Sequence, residues 1–363
     1  MACIPQSLPA GSHAGITTAR TATPAEQHAS SSRPKLKSLD ISDMGVGQWD
    51  EDDGAPPLAS VPGHLVQGGW PLLERLILDD VDIDAQGLSV LIKGNWPLLK
   101  ELNLGHNLFS LAWLPLLSQA AWPLVRKFSI TVFDNGLPSR SGYNHNHNAD
   151  AISRLMRVGW HLEELVLLHT DCLSINAVQS LVKSDMTSLK CLDLTGYMID
   201  GYSVAMLAES KWPQLVRVRL NTHVLDAYTA GFLVNIDWPL LKHFAMTGIS
   251  ISSMSVLRKG SWPYLETLEL TESDVHFGVL GAAELVKGDW PCLTCLNLRD
   301  FALDAAGMNL ILEMSSWPLL ASLDISLTDL IRIPGYVSML PAFKGRWPLL
   351  QRLREQNDLD CVG

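Results

Sequence analysis

Cys292 and Cys295 stand at the spacing of half a zinc site, two thiols separated by two residues. His145 and His147 could share a transition-metal ion, with Asp134 and Asp150 close by in sequence. The run Asp50-Glu51-Asp52-Asp53-Gly54 has the look of a calcium loop. None of these develops into a site. A tetrahedral zinc site needs a second ligand pair, and no such pair exists at ligand spacing. A calcium loop of the EF-hand type needs glutamate at its twelfth position, and the twelfth residue from Asp50 is Val61. The two histidines sit among Asn and Ser in what reads as an exposed polar loop. There is no Gly-rich phosphate loop, no G-x-S-x-G elbow and no H-E-x-x-H. The chain is therefore read with no catalytic residue, no metal site and no cofactor.

What the sequence specifies is the scaffold. Trp-Pro recurs at residues 70, 96, 122, 212, 238, 262, 290, 317 and 347. Trp160-His161, Met186-Thr187 and Arg33-Pro34 fill the same slot in imperfect units. Most steps are 26 residues, with 24, 27, 28 and 30 as variants and 37 and 38 where insertions intervene. A fixed period in this range marks a solenoid.

Each unit changes its hydrophobic period half-way. After Trp70 come Leu73, Leu76, Leu78 and Ile83, and after Trp96 come Leu99, Leu102, Leu104 and Phe109. The Leu-x-Leu core alternates, as a strand with one buried face must. One residue beyond the fourth apolar position stand Asp84, Ser110, Asp200, Asp226, Ser252 and Asp304, side chains that cap helix N-termini. A helical pattern then runs to glycine at Gly94, Gly260, Gly288 and Gly345, the residue helix C-termini favour. The recurring tryptophans are expected in the core between helix end and strand start. Trp113, outside the slot, falls in a helical stretch and is expected to pack.

This pattern resembles the leucine-rich repeat family, in its ribonuclease-inhibitor-like subclass, with a Trp-Pro variant like that of large families in unicellular algae. The resemblance runs from about residue 33 to the C-terminus. It implies an α/β solenoid, a horseshoe with a concave parallel sheet and short convex helices. About eleven units of roughly 26 residues and a partial last one follow a tail at residues 1–32. The family usually has Asn or Cys two residues before the fourth apolar position. Only Asn107 fits here, the column otherwise reading Val81, Phe133, Tyr197, Ile249 and the like. The strand-exit loops are thus expected to satisfy their backbone by other means. Packed helices need about 8–10 Å and strands only about 4.7–4.9 Å, so the stack bends into an arc on the order of 50 Å long. Such an arc suits a folded protein and is too open for a small-molecule substrate.

Charge and composition narrow the partner. The net charge is −11, which argues against nucleic acid and anionic membrane surfaces. No run approaches the ~18–20 apolar residues of a membrane span. Residues 1–32 lack the apolar core of a secretory signal and are too short for a full F-box. Their Ser/Thr richness and low acidity leave organelle import open. Six scattered cysteines, without the clustered caps of secreted relatives, fit a reduced, cytoplasmic setting. The last unit stops half-way, and its open end is expected to need a cover.

The extra residues at about Gln48–Leu58, Asp134–Asn148 and Ile331–Gly335 all fall between strand and helix, so they should crowd one edge of the arc. Beside that edge, the outward strand positions form the expected binding face: Arg75, Asp79, Asp80, Glu101, His106, Lys127, Glu164, His169, Arg217, Arg219, Glu269, Glu272, Arg299 and Asp300. Arg217 with Arg219 reads as a basic spot, and Glu269 with Glu272 as an acidic one. The function expected is a protein-interaction scaffold. The resemblance also admits an enzyme regulator, such as a GTPase-activating protein using Arg217 or Arg299 or a ubiquitin-ligase adaptor. It further admits a part of a cytoskeletal assembly such as a ciliary axoneme.

Overall fold

A computed structural model describes residues 35–42, 60–133, 152–169, 173, 175–222, 225–271, 277–299, 301, 303–325 and 345–354. Within these, twelve strands form one parallel sheet in strict chain order. They are β1 (Ser38–Asp40), β2 (Arg75–Ile77), β3 (Glu101–Ser110), β4 (Lys127–Phe133), β5 (Glu164–His169) and β6 (Cys191–Met198). The series continues with β7 (Arg217–Asn221), β8 (His243–Thr247), β9 (Thr267–Thr271), β10 (Cys295–Asn297), β11 (Ser322–Asp324) and β12 (Arg352–Arg354). Short helices alternate with the strands and pack only on their neighbours. This is the leucine-rich repeat solenoid, with the sheet concave and the helices convex.

Leu76, Leu102, Phe128, Leu165, Leu192, Val218, Phe244, Leu268, Leu296 and Leu323 occupy one register column and are all buried. The slot tryptophans from Trp96 onward are buried too, and only Trp70, at the first complete turn, is half-exposed. Trp96 stacks on Trp122 at 5.5 Å, and Trp290 on Trp317 at 6.2 Å. Trp122 Nε1 donates to the carbonyl of Gly94 at 2.9 Å.

The glycines before Trp-Pro have a different cause from the expected one. None of Gly94, Gly260 and Gly288 has positive φ, and the helices end on ordinary right-handed residues such as Ile92, Arg258 and Val286. A Cβ at Gly94 would lie 2.5 Å from the Trp96 ring, and one at Gly288 would lie 2.4 Å from Trp290. Glycine is there because the indole two residues later folds back over it.

Asp84, Asp200, Asp226 and Asp304 accept from the third-residue amide of their helices at 2.7 Å, as capping requires. Two expected caps fail. Residue 110 closes β3 and leads into a 3-10 helix, Leu111–Gln119, where Pro115 removes a donor. Trp113 packs there edge-on against Phe109. The cap of helix Ile251–Leu257 is Ser250, which forms a capping box with Ser253, and not Ser252. Ile249 is buried and bridges Leu225, so Ile249 and not Ile251 is the fourth apolar residue of a unit that is two residues shorter.

That register also corrects the strand-exit column. Asn107 makes the expected bonds: the amides of Val81 and Ile83 donate to its Oδ1 at 3.2 and 2.9 Å, while its Nδ2 donates to Leu78 and Gly105 carbonyls at 2.6 and 2.9 Å. In the short unit the position belongs to Thr247 and not to Ile249. Thr222 donates its amide to Thr247 Oγ1 at 3.2 Å and its hydroxyl to the Thr247 carbonyl at 2.8 Å. Paired threonines thus do between turns what one asparagine does elsewhere.

Candidate concave interaction face

The parallel register lines up outward side chains in columns. One column runs Arg75, Glu101, Lys127, Glu164, Cys191, Arg217, His243, Thr267. The next runs Asn103, Ser129, Val166, Asp193, Arg219, Ala245, Glu269. Strands about 4.8 Å apart bring unlike charges in a column within reach of one another.

They pair. Arg75 Nε lies 3.0 Å from Glu101 and its Nη1 3.9 Å from Asp40. Glu164 Oε2 takes both Lys127 and Arg217 at 3.6 Å. Arg219 lies 3.8 Å from Asp193 and 3.5 Å from Glu269. The longer spans cross two strands, and the residue passed over is small in each case, Cys191 below Arg217 and Ala245 below Arg219. Arg217 and Arg219 therefore do not form the basic spot expected of them. Arg217 shares Glu164 with Lys127, and Arg219 lies between Asp193 and Glu269.

Burial differs along the face. Glu269 is mostly covered, and desolvation pushes its carboxyl up while Arg219 pulls it back. Burial pushes the Cys191 thiol up to about 11, making it an inert thiol. His243, whose Nδ1 lies 3.0 Å from Thr267 Oγ1, is held below its ordinary value by burial and by Arg217, Lys242 and Arg219 nearby. Cys295 is buried in the sheet and Cys292 half-buried at the strand start.

A second ladder, missed by the sequence reading, stands one residue before the first column. Glu74 bridges Lys37 and Lys100 at 3.3 and 2.5 Å, Glu163 contacts Lys190 at 2.7 Å, and Lys242 meets Glu266 at 2.6 Å. The lysines hold Glu74 and Glu163 below the usual carboxylate range. The signal was present in sequence as opposite charges one unit apart. Between the two outward columns lies a shallow depression of about 170 Å³, lined by Asn103, Ser129 and Val166 on one side and Glu101, Lys127 and Glu164 on the other.

At the strand exits, His106 Nδ1 lies 2.8 Å from Asp79 Oδ1. His106 and Asp80 both adopt left-handed backbone, with φ of 47° and 55°, and His106 falls where the β3–β4 register shifts between Leu104 and Phe109. Arg299 is half-buried, its amide donating to Asn297 Oδ1 at 3.0 Å. Glu272, Asp300, the His169 side chain, the Asp50 and His145 loops and the three insertions lie outside the described residues. Among the described residues no His, Cys, Asp and Glu group is placed to hold a metal ion, and no helix is long and apolar enough to cross a membrane.

No family model matches the chain, and neither does any curated protein. Solved structures do resemble it. Yeast Rad7, in its complex with Elc1, is 15% identical with a TM-score of 0.44, covering 85% of this chain and 87% of that one. A Bacteroides fragilis protein is 16% identical with a TM-score of 0.42, covering 66% of this chain and 68% of that one. An internalin, inlF, from Listeria monocytogenes is 15% identical with a TM-score of 0.33, covering 78% of this chain and 80% of that one.

Proposed function

We propose that this solenoid is a protein-interaction scaffold of the ribonuclease-inhibitor-like type that holds a folded protein partner against its concave sheet. The observation that carries the reading is the first outward column from Arg75 to Arg217. There, half-exposed charges of both signs sit on a rigid sheet, each already in a pair with another. Exposed pairs of this kind contribute only about 0–1 kcal/mol each to stability, so the fold does not depend on them. A partner presenting complementary charges can exchange one pair for another at small cost, and the fixed column spacing sets its register. The depression around Val166 is too shallow for a small-molecule substrate and suits a side chain on a protein surface. A cytoplasmic setting is part of the same reading.

The test is affinity capture from native cells with the wild-type chain and with Val166→Arg, which places a bulky cation in the depression. Proteins retained by the wild type and lost by the variant support the reading. Identical retained sets would place the binding elsewhere on the molecule.

A further inference from the structure

Half of the exposed large apolar side chains stand at one position of the repeat. Of twelve such residues among those described, six are Leu72, Leu124, Leu240, Tyr264, Leu319 and Leu349, each two residues after a slot tryptophan and 37% to 54% exposed. The proline before each is exposed as well, apart from the half-buried Pro71. Leu98 and Cys292 continue the row half-buried, and His161, Ser188 and Gln214 interrupt it in the middle turns. The row follows the strand-entry edge of the solenoid from turn to turn. Proline has no amide to satisfy, so a surface of Pro and Leu loses little when water leaves it. Contiguous apolar surface of this kind marks an interaction site.

Charges border the row on both sides. Two residues further on stand members of the second ladder, among them Arg126, Glu163, Lys242 and Glu266. Just before the slot stand the exposed Asp185 and Lys211. Asp185 and His161 line one cleft between turns, and Arg346 and Pro318 line another, so residues beside the slot in neighbouring turns share this edge.

We infer that the edge is a self-association surface, covered by a second copy of the chain across a two-fold axis. The geometry of an arc selects that occupant. Twelve strands place the midpoint of the sheet between β6 and β7. A two-fold axis along the radius there lays the edge of one copy on the same edge of the other, reversed, over its whole length. The turn entering β2 then meets the turn entering β11, and so inward to β6 with β7. Leu72 faces Leu319, Leu98 faces Cys292, Leu124 faces Tyr264 and His161 faces Leu240, while Ser188 and Gln214 meet at the polar centre. The charges fall into the same register. Arg126 faces Glu266, Glu163 faces Lys242 and Asp185 faces Lys211. Within each copy Arg126 lies 4.0 Å from Glu163 and Lys242 lies 2.6 Å from Glu266, so the four close a ring of alternating sign. Neither bordering position brings like charges together. At the helix ends Lys93 does face Lys287, which Glu284 already holds at 2.7 Å. Turns about 4.8 Å apart and a depth of about 10 Å from sheet to helix give on the order of 600 Å² per copy, the lower end for a stable dimer. Both concave faces stay open side by side, which gives the pair two equal surfaces for partners.

Sedimentation velocity of the full chain over a range of concentrations tests this. The wild type should dimerise with a micromolar Kd, as suits an interface of this size. Tyr264→Glu, at an exposed position, should weaken the dimer at least about tenfold with the melting temperature unchanged. Arg126→Glu and Glu266→Arg should each weaken it about tenfold, since each sets two like pairs in place of two unlike ones. An equimolar mixture of those two variants should regain wild-type affinity, because the reversed charges then meet across the copies. A wild type still monomeric at about 100 μM overturns the inference, whether or not it then sediments with phosphatidylcholine vesicles. A dimer indifferent to Tyr264→Glu overturns it too, as does a mixture no tighter than its two components. Val166→Arg lies off this edge and should dimerise normally, so failure of this surface and failure of the concave one are told apart.

Discussion

Arg219 reaches across Ala245 to Glu269, two strands away, with 3.5 Å between Nη2 and Oε1. The contact exists because alanine fills the intervening register position, and it ties the middle of the arc to its later half. Glu269 carries a burial penalty that Arg219 offsets.

Arg219→Ala removes that offset. A carboxyl raised above its ordinary value contributes stability below that value and loses it as pH rises through the folded one. The variant should therefore be near wild-type in stability at pH 4 and fall behind as pH rises to 7, by about 1 kcal/mol. Thermal melts of both proteins across that range check it, and a gap that widens on acidification would contradict it.

Asn107→Ala strands the amides of Val81 and Ile83 and the carbonyl of Leu78 in a buried place. Each orphaned group costs about 1–3 kcal/mol, so the loss should exceed about 2 kcal/mol in denaturant unfolding. A loss within about 0.5 kcal/mol, the range of surface substitutions, would show that water replaces the side chain.

Gly94→Ala is expected to destabilise by about 1–3 kcal/mol, because the new methyl overlaps the Trp96 ring. Gly231→Ala is the control, since nothing lies within 4 Å of that position. Helix propensity makes it neutral to stabilising. Equal effects from the two would refute the packing explanation.

The turns at Trp160 and Met186 should form a weak seam. In a solenoid each unit rests on its neighbours, so one poor interface can open alone. Hydrogen exchange should be faster at residues 152–169 and 175–189 than in the flanking strands β4 and β6, and Met186→Trp should slow it. Uniform protection along the sheet would remove the seam.

The repeat, its strand phase and the buried tryptophans were legible because each rests on a period that recurs from turn to turn along the sheet. Ser252 was misplaced because two residues are missing from one turn, and a period read from its neighbours cannot show where they were lost. The glycines before Trp-Pro were identified with the wrong cause, since a contact between Gly94 and an indole two residues on depends on side-chain direction and not on sequence preference. The charges on the concave face were legible as outward positions. Their pairing was not, because it depends on arginines long enough to cross Cys191 and Ala245.

The central claim is that the concave column around Val166 holds a protein partner. It is tested most directly by titrating the purified captured partner into the wild type and into Val166→Arg, with melting temperatures measured alongside. The account predicts at least a tenfold rise in Kd, about 1.4 kcal/mol, with the melting temperature unchanged. Equal affinity for the two folded proteins would contradict it.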